Sequence, residues 1–279
     1  MPKGPSTARA ILLFENTPSL EAIVNALRRS FDVVRTDEAP VALVAYRPEV
    51  NGHVLAEVRA ARWPDDTGAL ERAAMMSSLC PDAAPAAEQH RAFVTLRPDA
   101  PVMPDDHDAL HELRFITSVA RAVLDVPGAL AYFNPDGEVL CNTSTFDDYL
   151  TFQSRHGQVP IDLWSNVRLI GREEDADWVA MDTIGMAQLG VQDVEACFPT
   201  TTHAPNEVSA WLRNIAHYLL EKGPVIKPGD TTTGPGNVPW QALPADEPLL
   251  PAIRPTLRWF PAKLVAKAPE WTLEGLADE

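Results

Sequence analysis

The sequence predicts an α+β fold: two lobes, each with an antiparallel or mixed sheet packed by helices, and then an extended proline-rich C-terminal segment. Three observations predict it. Short apolar runs bounded by turn residues, such as residues 8–14 and 92–96, are typical of strands. Residues 20–27 carry apolar side chains at i, i+3, i+4 and i+7, as on the core-facing side of a helix. In residues 178–223 a strand, a turn between glycines, a second strand and an amphipathic helix follow with almost no spare residues.

The first predicted lobe spans residues 1–103. Thr17 supplies an N-cap for the first helix. The Asn51-Gly52 dipeptide tolerates positive φ, so it predicts a tight hairpin between two short strands. Residues 65–79 are predicted to be helical, and residues 83–89 to form a connector of small residues.

The second predicted lobe spans residues 104–223. Its longest helix is predicted over residues 105–124, followed by a hairpin whose turn is Asn134-Pro135-Asp136-Gly137. Ser144 is predicted to cap the next helix. A last amphipathic helix over residues 206–222 ends at a glycine, which is typical of a helix C-terminus.

The character of the chain changes at residue 224. Ten of the 26 prolines fall in residues 224–279, and regular periodicity fades there. Trp240, Trp259 and Trp271 nevertheless provide large apolar anchors, which a disordered tail rarely holds. We therefore predict an extended tail that packs on the body of the protein.

The formal net charge of −16 limits the classes of partner. Residues 101–160 contain nine acidic and three basic side chains and residues 161–223 contain ten and four, so each segment carries −6. A surface this negative repels phosphate backbones and anionic lipids, so we expect neither nucleic-acid nor membrane binding. It attracts a basic protein partner.

Neither a membrane span nor a cofactor motif is predicted. No run approaches the ~18–20 apolar residues that a span requires, and the apolar run at residues 11–14 is far shorter than a signal-peptide core. We therefore expect a cytoplasmic protein.

Cys80, Cys141 and Cys197 form no Cys-x-x-Cys pair, which argues against a zinc ribbon or a redox motif. Free cysteine packs as a small hydrophobe.

Motifs rich in glycine and aromatic residues are spread over residues 8–235. They include Arg62-Trp63-Pro64-Asp65, residues 91–96, Leu163-Trp164, residues 181–190 and residues 215–225. On these motifs the chain resembles a large bacterial family of domains of unknown function, DUF4261. The resemblance implies a shared fold. Because the family brings no established activity, it implies no catalytic, cofactor-binding or metal-binding residue.

Four local patterns contain residues that could carry chemistry. His107 and His111 lie at i and i+4 of a helix, but on the side away from its predicted core. Residues 229–234 are rich in glycine and threonine but lack the lysine and the helix of a phosphate loop. Asp182 is predicted to end a strand and bind turn amides. The acidic residues 173–177 lack the spacing of a calcium loop. No catalytic, cofactor-binding or metal-binding residue is therefore predicted.

Two functional hypotheses remain, and the missing catalytic fingerprints favour the first. It is a non-catalytic cytoplasmic protein whose acidic surface binds a basic protein partner, for example to neutralise a toxin or effector as an immunity protein does. The alternative is an enzyme or a small-ligand-binding protein with its site in the cleft between the lobes, using Trp63, Asp182 and His217. A structural module of a larger assembly is a third hypothesis, and the oligomeric state is left open.

Overall fold

A computed structural model describes residues 8–35, 41–47, 52–76, 80–98, 108–250 and 256–276. Over these residues the chain forms thirteen strands and seven α-helices. It divides into two compact units, with the boundary between Trp164 and Ser165. Each unit contains one β-sheet, so the predicted α+β class is confirmed.

The first unit is built on a seven-stranded sheet with the order β2-β3-β4-β5-β1-β6-β7. Every strand pair described in it is antiparallel. Both sides of the central strand β1 are buried, so apolar groups cover the sheet on both faces. Its strands are β1 (Ala10–Phe14), β2 (Val33–Arg35), β3 (Val41–Arg47), β4 (Gly52–Arg59), β5 (Ala92–Pro98), β6 (Ala129–Asn134) and β7 (Val139–Asn142).

Five α-helices belong to the first unit, and their starts differ from the predicted ones by a few residues. Ser19, rather than Thr17, caps the first helix, because its Oγ accepts the Ala22 N–H at 3.1 Å. Asn142, rather than Ser144, caps the fifth by accepting the Thr145 N–H at 2.9 Å. The helices are α1 (Leu20–Leu27), α2 (Ala69–Met75), α3 (Ala84–Gln89), α4 (Ala109–Leu124) and α5 (Thr143–His156).

The predicted connector at residues 83–89 is wrong, because most of it is helix α3. A 3₁₀ turn at Pro81–Ala83 leads into the helix, and Pro85 lies in its first turn, where a proline is tolerated. Alanine has the highest helix propensity of all residues, so a run of small residues here favours a helix over a linker.

The second unit contains a six-stranded mixed sheet with the order β11-β12-β13-β10-β9-β8. Strands β10 and β13 are parallel, and the other described pairs are antiparallel. Its elements are β8 (Asn166–Gly171), β9 (Trp178–Ile184), β10 (Asp193–Pro199), α6 (Pro205–Lys222), β11 (Thr231–Gly234), β12 (Val238–Ala245), β13 (Thr256–Pro261) and α7 (Glu270–Leu273).

The two faces of the second sheet are covered differently. Helix α6 packs Val208, Leu212 and Leu219 into a core that includes Trp240 and Trp259. Alternate residues of the same strands point to the opposite face, where a smaller cluster forms around Phe260 and Trp271 with Ala180 and Cys197. Residues after β12 therefore supply the cover for this second face.

The two units do not coincide with the predicted segments 1–103, 104–223 and 224–279. Strands β6 and β7 join the first sheet because β6 pairs with β1, which places residues 129–142 in the first unit. Residues 224–279 supply β11, β12 and β13 to the second sheet. Strand order is a long-range property that local patterns of residues do not encode.

Candidate functional site

A groove lies between α2 and α3 of the first unit and has a volume of about 670 Å³. Its lining is mainly apolar, and one side chain in it, Met75, is 76% exposed to solvent. The apolar lining residues are Trp63, Leu70, Ala74, Met75, Ala84, Pro85 and Ala87. Apolar concavities with a few polar groups are the usual form of binding sites.

Asp65 fixes the start of α2 and with it one wall of the α2–α3 groove. Its Oδ1 accepts the Leu70 N–H and its Oδ2 accepts the Glu71 N–H, both at 2.9 Å. The carboxylate therefore satisfies two amides that have no partner within the helix. Gly68, just before the helix, has φ +69°, which a residue with a side chain adopts only with strain.

His90 joins the other wall, α3, to the segment that contains Trp63. The Trp63 backbone N–H can only donate, so His90 Nε2 accepts this hydrogen bond, at 2.9 Å. His90 Nδ1 therefore carries the ring proton, and this N–H donates a hydrogen bond to the Ala86 carbonyl at 3.1 Å. Burial lowers the pKa of His90, which favours this neutral form. Next to it, Arg62 donates to the Ala87 carbonyl at 3.0 Å.

The rim of the α2–α3 groove is predominantly acidic. Glu71 on α2 and Glu88 on α3 both line the groove and are exposed. The described residues that line it include no serine, threonine or cysteine to act as a nucleophile. His90 already uses both ring nitrogens within the fold. The arrangement can bind an apolar group beside a cation.

Four charged side chains form a second constellation, a row across the face of the second sheet that lies opposite α6, on the side of Phe260 and Trp271. Arg168, Asp182, Glu195 and Arg258 lie directly opposite one another on β8, β9, β10 and β13. All four are at most 1% exposed. Arg168 binds Asp182 through two contacts, Nε–Oδ1 at 2.9 Å and Nη2–Oδ2 at 2.6 Å, and Arg258 Nε binds Glu195 Oε2 at 2.8 Å. We call these residues the buried charge row.

The Arg258 end of the row holds the C-terminal residues against the sheet. Its guanidinium donates to the carbonyls of Thr272 at 3.0 Å, Glu274 at 2.5 Å and Glu247 at 3.0 Å. Glu195 Oε1 accepts the Leu249 N–H at 2.9 Å. Burial raises the pKa of Glu195, Arg258 opposes this shift, and the neighbouring Asp182 adds to it. These hydrogen bonds fix residues 247–249 and 272–274 against β10 and β13, which is a structural role.

The buried charge row corrects one expectation, and all four of its residues are buried. Asp182 was predicted to end a strand and bind turn amides, yet it lies within β9 and binds Arg168. Asp193 binds the turn instead, because its Oδ1 accepts the Met186 N–H at 3.2 Å.

The other sequence candidates do not converge on one site. His107 lies outside the described residues, and the His111 N–H donates to the cap residue Asp108 of α4. Residues 229–234 form a turn and the edge strand β11, and residues 173–175 form an exposed 3₁₀ turn. Within the described ranges, no three His, Cys, Asp or Glu side chains are grouped so that they could hold a metal ion.

Two of the three residues proposed for a site, Asp182 and His217, belong to the second unit, and the structure does not bring them together there. His217 lies on α6, which packs on one face of the second sheet, whereas Asp182 projects from the other face. Trp63 belongs to the first unit, where it lines the α2–α3 groove.

The second sheet also contains the part of the chain that matches the model of a known family. The model of the domain of unknown function DUF4261 matches residues 182–260. The match supports a DUF4261 assignment for this part of the chain. The resemblance predicted from the sequence is thus confirmed, although the match is shorter than residues 8–235 and extends past residue 235 to the end of β13. No curated protein and no solved structure matches the chain.

The DUF4261 match includes three members of the buried charge row, Asp182, Glu195 and Arg258. The match brings no activity with it. None of the described helices is both long enough and apolar enough to cross a membrane.

Proposed function

We propose that this protein is a non-catalytic, cytoplasmic binding protein that holds a basic protein partner through an acidic surface. One setting for such a role is neutralisation of a basic toxin or effector, as immunity proteins do. The observation that carries the proposal is the net charge of −16, because a field of this size attracts cationic proteins and accelerates their association.

The distribution of the charges supports this proposal. The buried arginines Arg168 and Arg258 each face a buried carboxylate, so these ion pairs conceal no excess negative charge. The acidic residues 173, 174 and 177 are exposed in the second unit. Excess negative charge is therefore available to a partner.

Capture on the immobilised full-length chain tests this function. We expect basic proteins to be retained from a lysate at about 50 mM salt and released at about 500 mM, because salt screens contacts between exposed charges. Equal recovery at both salt concentrations, or retention of proteins without excess positive charge, would contradict the proposal.

Small-ligand binding is a second candidate, and one observation favours it. The volume of the α2–α3 groove is within the range of small-molecule sites, roughly 300–1,000 Å³. A thermal-shift screen with neutral apolar compounds tests this candidate. A stabilisation that is lost on Ala74→Arg, which places a long side chain in the groove, is the expected result. The absence of any stabilising compound would count against it.

A further inference from the structure

We propose that the α2–α3 groove is the place where the basic partner is bound, and that it takes one apolar side chain flanked by lysine or arginine. This inference rests on the proposed function and assigns it a location. Three properties of the groove carry it: an exposed apolar lining, carboxylates on both walls, and walls that are fixed before binding.

The exposed lining indicates a partner that covers it. Helix α2 buries Ala69, Leu70 and Ala73 on its inner side, while Met75 at its C-terminal end stays 76% exposed. Of the large hydrophobic side chains that are exposed in the described ranges, Met75 is the most exposed, and it lines the groove. Methionine is flexible and polarisable, which suits a surface that adapts to a partner's side chain.

The carboxylates of the rim select the sign of the partner's charge. Glu71 projects from α2 and Glu88 from α3, so an apolar group in the groove has an acidic residue on either side. Arg62 also lines the groove and donates to the Ala87 carbonyl at 3.0 Å, but the three carboxylates of Asp65, Glu71 and Glu88 outnumber this one cation in the lining. Cations that flank the apolar side chain therefore find complementary charges on both walls.

The walls are held in place by contacts that do not depend on a partner. Asp65 ties the start of α2 through two amide contacts, and the Trp63–His90–Ala86 chain of hydrogen bonds ties the segment before α2 to α3. The Trp63 ring also packs edge-to-face on Phe93, with 5.2 Å between the ring centroids. A preformed groove loses little conformational entropy when it binds, which favours recognition of a short segment.

The methyl signals of methionine allow a direct test on the full-length chain. The probe is a capped nine-residue peptide with one leucine between four lysines on each side. The chain has six methionines, and labelling their methyl groups with ¹³C gives few NMR signals, of which Met75 is assigned from the Met75→Leu variant. We expect the Met75 signal to shift on titration while that of Met186, which is fully buried in the second unit, stays unchanged.

Two comparisons separate the groove from general attraction to the acidic surface. Replacing the leucine of the peptide by serine is expected to weaken binding about tenfold, because the apolar contact is lost. Reversing Glu71 and Glu88 together to lysine is also expected to weaken binding about tenfold. The matched reversal of Glu173 and Glu174 changes the net charge equally on the second unit and is expected to weaken it less than about threefold.

The outcomes distinguish the two proposals. Equal effects of the two double reversals, equal binding of the leucine and serine peptides, or no shift of the Met75 signal would each overturn the groove as the binding place. Salt-dependent capture of basic proteins would still support the proposed function in those cases. A Met75 shift that neither salt nor charge reversal weakens would support an apolar site and contradict the acidic-surface function. Unchanged circular dichroism of each variant shows that it is folded.

Discussion

Removing the Arg258 guanidinium is the sharpest test of the buried charge row. The Arg258→Met substitution keeps most of the side-chain volume and leaves the Glu195 carboxylate in a site with 0% exposure. That carboxylate keeps the Leu249 N–H as a partner and remains beside Asp182. The carbonyl oxygens of residues 247, 272 and 274 lose their donor as well.

We expect Arg258→Met to lower the free energy of unfolding of the second unit by about 3–5 kcal/mol, the usual cost of breaking a buried ion pair from one side. The control Arg172→Met removes an exposed arginine from its pair with Glu274 at 3.3 Å. Its expected cost is less than about 1 kcal/mol, because water and salt screen exposed pairs. Removing both charges together, in Glu195→Leu with Arg258→Met, is expected to recover the part of the loss that comes from the unpaired carboxylate, while the carbonyls of residues 247, 272 and 274 stay without this donor.

The pH dependence of the loss follows from the pKa of Glu195. Burial already raises this pKa, and removing Arg258 takes away the contact that opposes the shift. A carboxyl whose folded pKa lies above its unfolded pKa stabilises the fold at low pH and loses that contribution as pH rises. The cost of Arg258→Met is therefore expected to be smaller at about pH 5 than at about pH 8.

Urea unfolding followed by tryptophan fluorescence measures these differences. Five of the seven tryptophans lie in the second unit, so the signal reports mainly on the second sheet. A loss below about 1 kcal/mol for Arg258→Met would refute the reasoning. A double variant no more stable than the single variant would also refute it.

Three further predictions concern the first unit. Thr117→Val is expected to destabilise by about 1–3 kcal/mol, because the buried Trp164 Nε1–H loses its acceptor at 2.8 Å. Gly137→Ala is expected to lower the free energy of unfolding by about 1–3 kcal/mol, because the new Cβ would lie 1.9 Å from the Trp164 carbonyl oxygen. Burial lowers the pKa of His90 from its ordinary value of 6.5, so the melting temperature is expected to fall as pH drops below 6.5 and to be insensitive to this group above it.

Each of these predictions has a matched control in the same assays. Ser118→Ala removes an exposed hydroxyl from the same helix and should cost less than about 0.5 kcal/mol. Gly171→Ala meets only Val179 Cγ1 at 3.7 Å, so it should be tolerated. In His90→Leu the melting temperature should vary less between pH 5 and 7 than in the unchanged chain. If control and test variants behave alike, the assigned contacts do not carry the stability.

Local patterns of residues predict the elements of this fold better than their arrangement. The hairpin between β6 and β7 and the end of α6 at Gly223 follow from turn and cap chemistry over a few residues. The division at Trp164 depends on β6 pairing with β1, more than a hundred residues away along the chain, and no local signal encodes that contact.

The α2–α3 groove could not be predicted because its parts meet only in three dimensions. His90 follows Trp63 by 27 residues, and the small residues that form α3 predict a connector rather than a helix. The buried charge row did leave a signal. Glu195 lies between Val194 and Ala196, and Arg258 stands inside another apolar strand. A single charge in the middle of a strand that is apolar on both sides indicates a buried partner of opposite charge.

The parallel pairing of β10 with β13 determines when the second sheet can form during synthesis. Strand β10 leaves the ribosome about sixty residues before Thr256–Pro261, and until then one of its edges has no neighbour to bind. An apolar strand with an open edge invites pairing with other chains. A shortened variant that ends after α6 would keep β10 in that state, and we expect such a variant to aggregate.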